Sequence, residues 1–278
     1  MKRIFFIALM VLCSYSGYPQ VSLSVMSFNI RYDNPEDGVH AWKNRQEAVS
    51  AMLKGERPVI IGMQEVLHHQ LNDILDGLPG YSYKGVGRDD GKVAGEYSPV
   101  LYDSTIVQCR KSGFFWLSSQ PMAAGSLGWD AVCPRICTWA AFIHKESQRP
   151  FYVFNTHYDH IGKRARNISS QLLTRMIDSI TGGCPVILCG DFNASAFSSE
   201  INRIIDQDLA MSKPLTENSL ADSCTFTGFS KTNRECRQID FIFYSKQFTQ
   251  ESYLLMENPD SAYPLSDHRA VKVGLFLK

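Results

Sequence analysis

The chain has 278 residues, 44% of them hydrophobic, which is enough to bury a sizeable core in one large domain or two smaller ones. Lysine and arginine together number 28, and so do aspartate and glutamate. This balance argues against a surface that grips long nucleic acid through many phosphates, because such proteins are normally basic.

The N-terminal segment has the pattern of a secretory signal peptide. Lys2 and Arg3 precede an apolar run from Ile4 to Cys13, which is too short to cross a bilayer, and small residues follow it. We predict that residues 1–20 are this signal peptide and that the protein is exported, either to the periplasm or as a secreted protein. An alternative makes Cys13 the lipidated residue of a lipoprotein, but the residues ahead of it lack the small side chains that such a site prefers.

Cysteine usage leaves the disulfide pattern open. Removing Cys13 with the signal peptide leaves seven of the eight cysteines, an odd number that cannot all pair within one chain. Cys133 with Cys137, and Cys224 with Cys236, are two candidate pairs in an exported protein. Neither spacing matches a zinc module, and the sequence selects no disulfide.

Apolar runs and helical periodicity alternate along the rest of the chain. The pattern predicts a strand ending near Asn29, a helix over residues 42–55, a strand ending at Glu65, a helix over residues 67–80, and strands over residues 98–102, 105–113, 137–144 and 151–157. A helix over residues 167–180, a strand from Val186, a short helix near residues 199–206, and strands near residues 239–244 and 270–276 follow. No linker or internal repeat interrupts this mixture, which favours one α/β domain over residues 21–278.

Polar side chains occur where the apolar runs stop. The run VILCG is followed by Asp191 and Asn193, which taken alone would also fit a simple turn, and Asn193-Ala-Ser fits a glycosylation acceptor. The same arrangement recurs at five other places, marked by Asn29, Glu65, His157, Asp240, and Asp267 with His268. Six such termini are hard to attribute to turn chemistry, and polar groups at strand ends in α/β folds are where chemistry is usually placed.

Two of these groups predict a metal-binding site and a residue that activates water. Glu65 with the amide oxygen of Asn29 offers a sparse oxygen site, which suits a Mg²⁺ ion that keeps several of its waters. Asp191 can polarise or deprotonate a water molecule, with Asn193 as an orienting amide.

The remaining groups predict how developing charge would be stabilised. Asp240 and His268 suggest a carboxylate–imidazole pair, in which the carboxylate fixes the tautomer and favours the imidazolium. His157 would add a second donor for charge that grows on a phosphoryl oxygen.

The segments FNI, QEV, NTHYDH, GDFN, QIDFIF and SDHRAV, in this order, resemble the endonuclease/exonuclease/phosphatase superfamily, which includes deoxyribonuclease I. The resemblance covers nearly the whole chain after residue 20 and implies a four-layer α/β-sandwich, in which two packed mixed sheets are flanked by helices. It also implies Mg²⁺-dependent attack of water on a phosphate ester, with Mn²⁺ as an alternative ion. The substrate would be a nucleic acid, a nucleotide or a small phosphorylated molecule, and we expect a monomer.

The resemblance assigns roles residue by residue. It places the metal at Asn29, Glu65 and Asp267, and catalysis at His157, Asp191, Asn193, Asp240 and His268. Glu96, in GEYSPVLYD, resembles the residue that supports the histidine in the deoxyribonuclease-like branch. Arg135, in PRICTWAAF, lies where a phosphate-binding arginine is expected. An exposed loop charge and a surface ion pair are the structural alternatives for these two residues.

Other positions depart from the superfamily pattern or are not general to it. Many relatives carry arginine two residues before Asp240, where this chain has Gln238 with Arg237 beside it. Asp159, followed by His160, would either line the pocket and bind substrate or cap a loop. Phe226 and Phe229 would form a platform for a base or another ring, although aromatic residues at such spacing are more often part of a core.

Two further classes of function remain open from the sequence. One is a binding protein that kept the fold and lost catalysis, which the intact set of carboxylates and imidazoles argues against. The other is a membrane-acting enzyme of the sphingomyelinase or phospholipase type, for which the sequence shows no clear apolar hairpin. The identity of the substrate, and whether it is a diester or a monoester, does not follow from the residues, because one fold supports many substrates.

Overall fold

The computed structural model describes residues 21–212, 223–229, 236–256 and 264–278, so the predicted signal peptide lies outside the described residues. The strands are β1 Val21–Asn29, β2 Ile60–Gln64, β3 Tyr81–Lys84, β4 Val100–Asp103, β5 Val107–Trp116, β6 Ile136–His144, β7 Pro150–His157, β8 Val186–Asp191, β9 Leu209–Met211, β10 Asp240–Ser245, β11 Phe248–Leu255 and β12 Val271–Leu277. The helices are α1 Trp42–Glu56, α2 His68–Asp76, α3 Lys163–Thr181 and α4 Ser199–Ile205.

The strands form two mixed sheets of six strands each. The first has the order β11-β12-β1-β2-β4-β3, and the second has the order β5-β6-β7-β8-β10-β9. Each sheet contains one parallel pair, β1 with β2 and β7 with β8, and its other neighbours are antiparallel. Within each parallel pair a helix supplies the crossover, as parallel strands require.

Three apolar clusters stack the elements into four layers. The central cluster joins the facing sides of the two sheets and includes Val25 and Ile187. A second cluster packs α1 and α2 on the outer face of the first sheet through residues such as Leu53. A third packs α3 and α4 on the outer face of the second sheet through residues such as Leu173. This arrangement confirms the predicted four-layer α/β-sandwich.

A buried polar contact joins the two sheets at the parallel strands. The Gln64 side-chain amide donates to Asn155 Oδ1 at 2.6 Å, and Asn155 Nδ2 donates to the carbonyl oxygens of Met63 at 2.6 Å and Pro99 at 2.8 Å. Gly62 allows this close approach, because a Cβ atom there would lie 2.9 Å from the Asn155 side chain. The contact fixes the spacing of the sheets next to the strand ends that carry the polar residues.

Three strands were not predicted, and all three lie at sheet edges. They are β3, β9 and β11. Side chains at a sheet edge are half exposed, as in β11, so their hydrophobic alternation is weak in the sequence. Among the described residues, no helix is long and apolar enough to cross a membrane.

The structure selects one of the two candidate cysteine pairs. Cys224 and Cys236 are joined in a disulfide, with their Cα atoms 5.2 Å apart. Cys133 and Cys137, the other candidate pair, are free thiols. The disulfide ties the segment around Phe226 to the segment that leads into β10, and both segments border the site described next.

Candidate active site

The parallel strands bring four of the predicted side chains to one end of the two sheets. Asn29 is the last residue of β1 and Glu65 follows β2, while His157 and Asp191 end β7 and β8. Because the strands of a parallel pair run in the same direction, their carboxyl ends lie at the same edge. The topology of each sheet therefore delivers two polar residues to this edge.

The antiparallel neighbours of these strands supply the other predicted residues. Asp240 begins β10 and lies opposite Asp191 in the register of β10 and β8. Asp267 and His268 lie shortly before β12, which begins at Val271 and runs antiparallel to β1. The start of an antiparallel strand lies beside the end of its neighbour, so all six strand ends meet at one place.

Asn29 connects the two carboxylates at the centre of the site. Its side-chain nitrogen donates to Glu65 Oε1 and to Asp191 Oδ2, each at 3.0 Å, and its oxygen accepts from the Arg31 N–H at 3.0 Å. Glu65 has a left-handed backbone with φ 61°. Such a conformation is costly for a residue with a side chain and is typical of functional sites.

A guanidinium that the sequence analysis missed compensates these carboxylates. Arg31 donates to both carboxylate oxygens of Asp37 at 2.9 Å, and its nitrogens lie 4.0 Å from oxygens of Glu65 and Asp267. Its position two residues after Asn29 was the only signal in the sequence, because the carboxylates it faces are distant in the chain. The Asp37 hydrogen bonds raise the pKa of Arg31, which is therefore cationic at every relevant pH.

Asp240 and His268 form the predicted carboxylate–imidazole pair. His268 Nδ1 lies 2.8 Å from Asp240 Oδ2, and its Nε2 lies 3.7 Å from Asp191 Oδ2. Burial alone would lower the pKa of His268, but the Asp240 carboxylate outweighs burial and raises it to about 10. The imidazole is consequently a buried cation next to Asp191.

Asp191 stands among donors that hold its orientation. Its Oδ1 accepts from the Asn193 N–H at 2.9 Å, and His157 Nε2 lies 3.5 Å from its Oδ2. Burial, with the neighbouring Asp240 carboxylate, raises the pKa of Asp191 to about 7. A carboxylate with this pKa can exchange a proton with water near neutral pH.

Asn193 and His157 form the opposite wall of the site. The Asn193 side-chain nitrogen lies 3.1 Å from His157 Nε2 and donates to the Tyr158 carbonyl at 3.1 Å, and its backbone is left-handed with φ 46°. These contacts engage the amide inside the site, which argues against the glycosylation alternative. Burial and the nearby arginines Arg135 and Arg88 hold the pKa of His157 well below its usual range, so the ring is neutral.

The predicted support of His157 by Glu96 is not found. Glu96 instead accepts from both terminal nitrogens of Arg88, at 2.5 and 2.7 Å, while His157 Nδ1 is buried with no hydrogen-bond partner among the described residues. Arg88 is a second guanidinium that the sequence analysis missed. Glu96 pairs with Arg88 in preference to His157 because the bidentate contact makes two charge-assisted hydrogen bonds. A direct role of Glu96 in substrate binding stays a prediction.

Asp159 is a loop anchor rather than a pocket residue. It is 2% exposed, and its carboxylate accepts from the N–H groups of Ile161, Gly162 and Val132. The structure thus favours the loop-capping alternative for Asp159. The Arg135 Nε atom lies 3.5 Å from the same carboxylate.

Arg135 is buried beside the site with part of its guanidinium unused. It is 5% exposed, its Nη2 lies 2.9 Å from His160 Nδ1, and its Nη1 has no partner among the described residues. The burial excludes the alternative of a surface ion pair. Binding of a phosphate by Arg135 stays a prediction, and the free N–H groups at Nη1 are consistent with it.

The two predicted aromatic residues both have partners within the protein. The Phe226 ring contacts the His268 ring edge-on with centroids 5.0 Å apart, and the Arg237 guanidinium lies 4.4 Å above it. Phe229 stacks on His40 at 4.3 Å. Phe226 therefore borders the site as a neighbour of His268, and a platform role for either ring stays a prediction.

The donor set fits a hard divalent cation. One oxygen of Glu65, one of Asp191 and a ring nitrogen of His157 lie within 4.8 Å of one another, and Asp267 faces Glu65 across the Arg31 guanidinium. A few carboxylate oxygens with room for water are what Mg²⁺ requires. In this arrangement Asn29 turns its nitrogen toward the carboxylates, so metal ligation by Asn29, and equally by Asp267, stays a prediction.

Comparisons with known proteins agree with this geometry. The profile of the endonuclease/exonuclease/phosphatase family matches residues 26–268. A solved endonuclease/exonuclease/phosphatase from Bacteroides vulgatus is 38% identical, with a TM-score of 0.86 over 93% of this chain and 100% of that chain. The mannosyl-6-phosphatase of Bacteroides thetaiotaomicron is 36% identical, with a TM-score of 0.83 over 91% of this chain and 99% of that chain.

A curated relative, an uncharacterized protein of Acanthamoeba polyphaga mimivirus, is 30% identical over 171 residues, which are 56% of this chain. The match spans 60% of the length of that relative. The family match extends from β1 to the Asp267–His268 pair and so includes every strand end at the site. The resemblance found in the sequence is thereby confirmed, and the chain belongs to the endonuclease/exonuclease/phosphatase family.

Proposed function

We propose that the protein is an exported, Mg²⁺-dependent phosphoesterase that cleaves a phosphate ester by in-line attack of water. The observation that carries this proposal is the convergence of six strand ends into one buried set of carboxylates, amides and imidazoles around Asn29 and Asp191. Export rests on the signal-peptide pattern of residues 1–20. We expect the enzyme to act as a monomer.

In this proposal Asp191 accepts the proton of the attacking water. Its pKa of about 7 makes it a competent base near neutral pH, and the Asn193 N–H and Asn29 amide hold its two oxygens in place. Asn193 and His157 would then exchange their mutual 3.1 Å contact for hydrogen bonds to the reacting phosphoryl group. A bound divalent cation, held by Glu65 with Asp267, would supply positive charge to a non-bridging phosphate oxygen.

His268 contributes a fixed positive charge to the transition state. Its ion pair with Asp240 keeps the imidazole protonated, and burial strengthens the field that it exerts on a neighbouring phosphoryl oxygen. Because Asp240 orients the ring, the charge is present before the substrate arrives and costs no reorganisation.

A small phosphomonoester is the substrate class that we favour over a phosphodiester. The mannosyl-6-phosphatase relative, similar over 91% of this chain, supports this choice, and the near-neutral charge of the chain gives no support to duplex nucleic acid. The complete set of carboxylates and imidazoles argues against an inactive binding protein. A membrane-acting lipid hydrolase has no specific observation in its favour.

A substrate panel tests the proposal. The mature protein with Mg²⁺ is assayed on p-nitrophenyl phosphate, bis-p-nitrophenyl phosphate, a hexose 6-phosphate, plasmid DNA and single-stranded RNA, beside Asp191→Asn and the exposed control Asp178→Asn. We expect metal-dependent hydrolysis of monoesters that Asp191→Asn reduces by at least about 10³-fold and that Asp178→Asn retains. Turnover unaffected by Asp191→Asn, or none on any substrate by folded protein, would contradict the proposal.

A further inference from the structure

A tight loop beside the site presents a prearranged pair of opposite charges. Arg88 and Glu96 face each other across the neck of this loop, where the Arg88 N–H donates to the Glu96 carbonyl at 3.1 Å and the side chains make the bidentate contact described above. Gly87 and Gly95 permit the closure, since a Cβ atom at either would collide with the opposite side of the loop. The Trp116 indole also donates to the Arg88 carbonyl at 2.7 Å.

A second pair of opposite charges, the Arg135 guanidinium and the Asp159 carboxylate, lies on the neighbouring loops. Asp159 anchors the two loops that carry Arg135 and His160, and the Arg135 guanidinium contacts both Asp159 and His160. A sulfur and a carboxylate oxygen from Cys133 and Asp159 lie near the His160 nitrogen, as in a metal site. The Arg135 guanidinium already contacts the Asp159 carboxylate and the His160 nitrogen that a metal ion would need.

Both pairs border the catalytic residues. Tyr97, which follows Glu96, pairs with Val66, which follows Glu65, and the Tyr97 N–H donates to the Val66 carbonyl at 2.7 Å. Arg135 and Arg88 also each depress the pKa of His157. His160 follows His157 by three residues at the end of β7. The two pairs therefore lie next to the strand ends that carry Glu65 and His157.

The chemistry of the pairs suits hydroxyl groups rather than a second anion. Carboxylates face both guanidinium cations, Glu96 and Asp89 at Arg88 and Asp159 at Arg135. Burial beside Arg135 also lowers the pKa of His160. Arg88 Nε and Arg135 Nη1 are buried and have no hydrogen-bond partner among the described residues, while the Glu96 side chain is 16% exposed and has lone pairs to spare. Each hydroxyl of a polyol needs a donor and an acceptor side by side, and these pairs supply both.

We propose that Arg88, Glu96, Arg135 and His160 form a subsite that binds the hydroxyl groups of the leaving alcohol, so that the enzyme selects phosphate esters of polyhydroxylated compounds such as sugars. This inference rests on the proposed phosphoesterase function. It assigns to Arg88 and His160 a role in specificity, and it makes Glu96 an acceptor for substrate hydroxyls instead of a support for His157.

The test compares a polyhydroxylated substrate with one that has no hydroxyl groups. kcat/KM is measured for a hexose 6-phosphate and for p-nitrophenyl phosphate, in the wild type and in Arg88→Met, Glu96→Gln and His160→Ala, with the exposed Arg110→Met as control. We expect the hexose-to-aryl ratio to fall about tenfold or more in the three subsite variants, mainly through KM, and to stay unchanged in the control. Arg88→Lys, which keeps the charge without the bidentate geometry, should also lower the ratio.

The outcomes separate this inference from the function on which it rests. If the wild type hydrolyses both substrates and the subsite variants lower both by the same factor, the residues act on the phosphate or on folding, and the subsite is refuted. A wild type whose KM for the aryl phosphate is no higher than its KM for the hexose 6-phosphate refutes it as well. If folded wild type with Mg²⁺ hydrolyses neither substrate, the proposed function itself fails.

Discussion

Arg45 is the residue whose replacement should most clearly couple stability to the site. It lies on α1 and is completely buried, and among the described residues it donates hydrogen bonds only to backbone carbonyls. These are the carbonyls of His40 at 2.6 Å, Ile30 and Leu265 at 2.7 Å, and Arg31 at 3.1 Å. These carbonyls belong to the loop that follows β1 and to the segment that precedes Asp267. One side chain thus ties together the segments next to Asn29 and Asp267, two predicted metal-site residues.

The cost of Arg45→Met follows from these contacts. Methionine fills similar space but leaves four carbonyl oxygens without their donor, at about 1 kcal/mol or more for each that water cannot reach. The guanidinium is itself desolvated, which lowers its pKa, so part of the loss is recovered when it is removed. We therefore expect a loss of roughly 3–5 kcal/mol in the free energy of unfolding, the scale for breaking a buried charged contact. For a domain of this size the melting temperature should fall by about 10 °C.

Urea unfolding and Mn²⁺ binding, measured on the same samples, test this reasoning. Leu53→Ala, at another buried position of α1, is the matched control because it should cost a comparable 2–5 kcal/mol through a cavity. We expect Arg45→Met to weaken Mn²⁺ binding about tenfold and Leu53→Ala to leave it within about twofold. A loss below about 1 kcal/mol for Arg45→Met, or equal weakening of Mn²⁺ binding by both variants, would refute the argument.

Three further predictions follow from single contacts. Asp240→Asn should lower the pKa of His268 from about 10 toward 6.5, because it removes the carboxylate that raises this pKa, and NMR of the imidazole measures the change. The ion pair stabilises the fold below pH 6.5, and this stabilisation is lost as the pH rises through 10. A wild-type pKa near 6.5 would contradict the prediction. The pKa of Glu96 is raised from 4.5 to about 7, so the free energy of unfolding of the wild type should decrease as the pH rises across that interval. In urea unfolding, Glu96→Gln should show a smaller decrease. An equal decrease in both proteins would disprove the raised pKa of Glu96. Gly62→Ala should destabilise the sheet packing by roughly 1–3 kcal/mol, while Gly55→Ala, with open space around it, should not; equal effects would count against the close approach of the sheets.

The strand-end residues could be predicted because their signal is local. Asp191 follows a buried apolar run directly, and the same pattern identifies Glu65 and His157. Once several such ends carry compatible chemistry, the topology of an α/β-sandwich brings them together, as β1 with β2 and β7 with β8 confirm. The central strands were predicted for the same reason, since they are buried on both faces.

Partnerships across the fold could not be predicted in this way. The pairing of Glu96 with Arg88 depends on how a loop closes on itself, and the place of Arg31 between Glu65 and Asp267 depends on three separate segments meeting. Neither leaves a periodic trace in the sequence. The edge strands β3, β9 and β11 were not predicted for a related reason. Half-exposed positions tolerate polar residues, which weakens the alternation of apolar and polar residues in the sequence.

Binding of a divalent ion by the strand-end cluster is the central claim, and a direct titration tests it. Mn²⁺ is titrated into the metal-free protein without residues 1–20, and the bound fraction is read by electron paramagnetic resonance for the wild type, Glu65→Gln and the exposed control Asp178→Asn. The account predicts saturable binding in the wild type and the control, displaced by Mg²⁺, and binding at least about tenfold weaker in Glu65→Gln. Binding by folded Glu65→Gln that equals the wild type would contradict it.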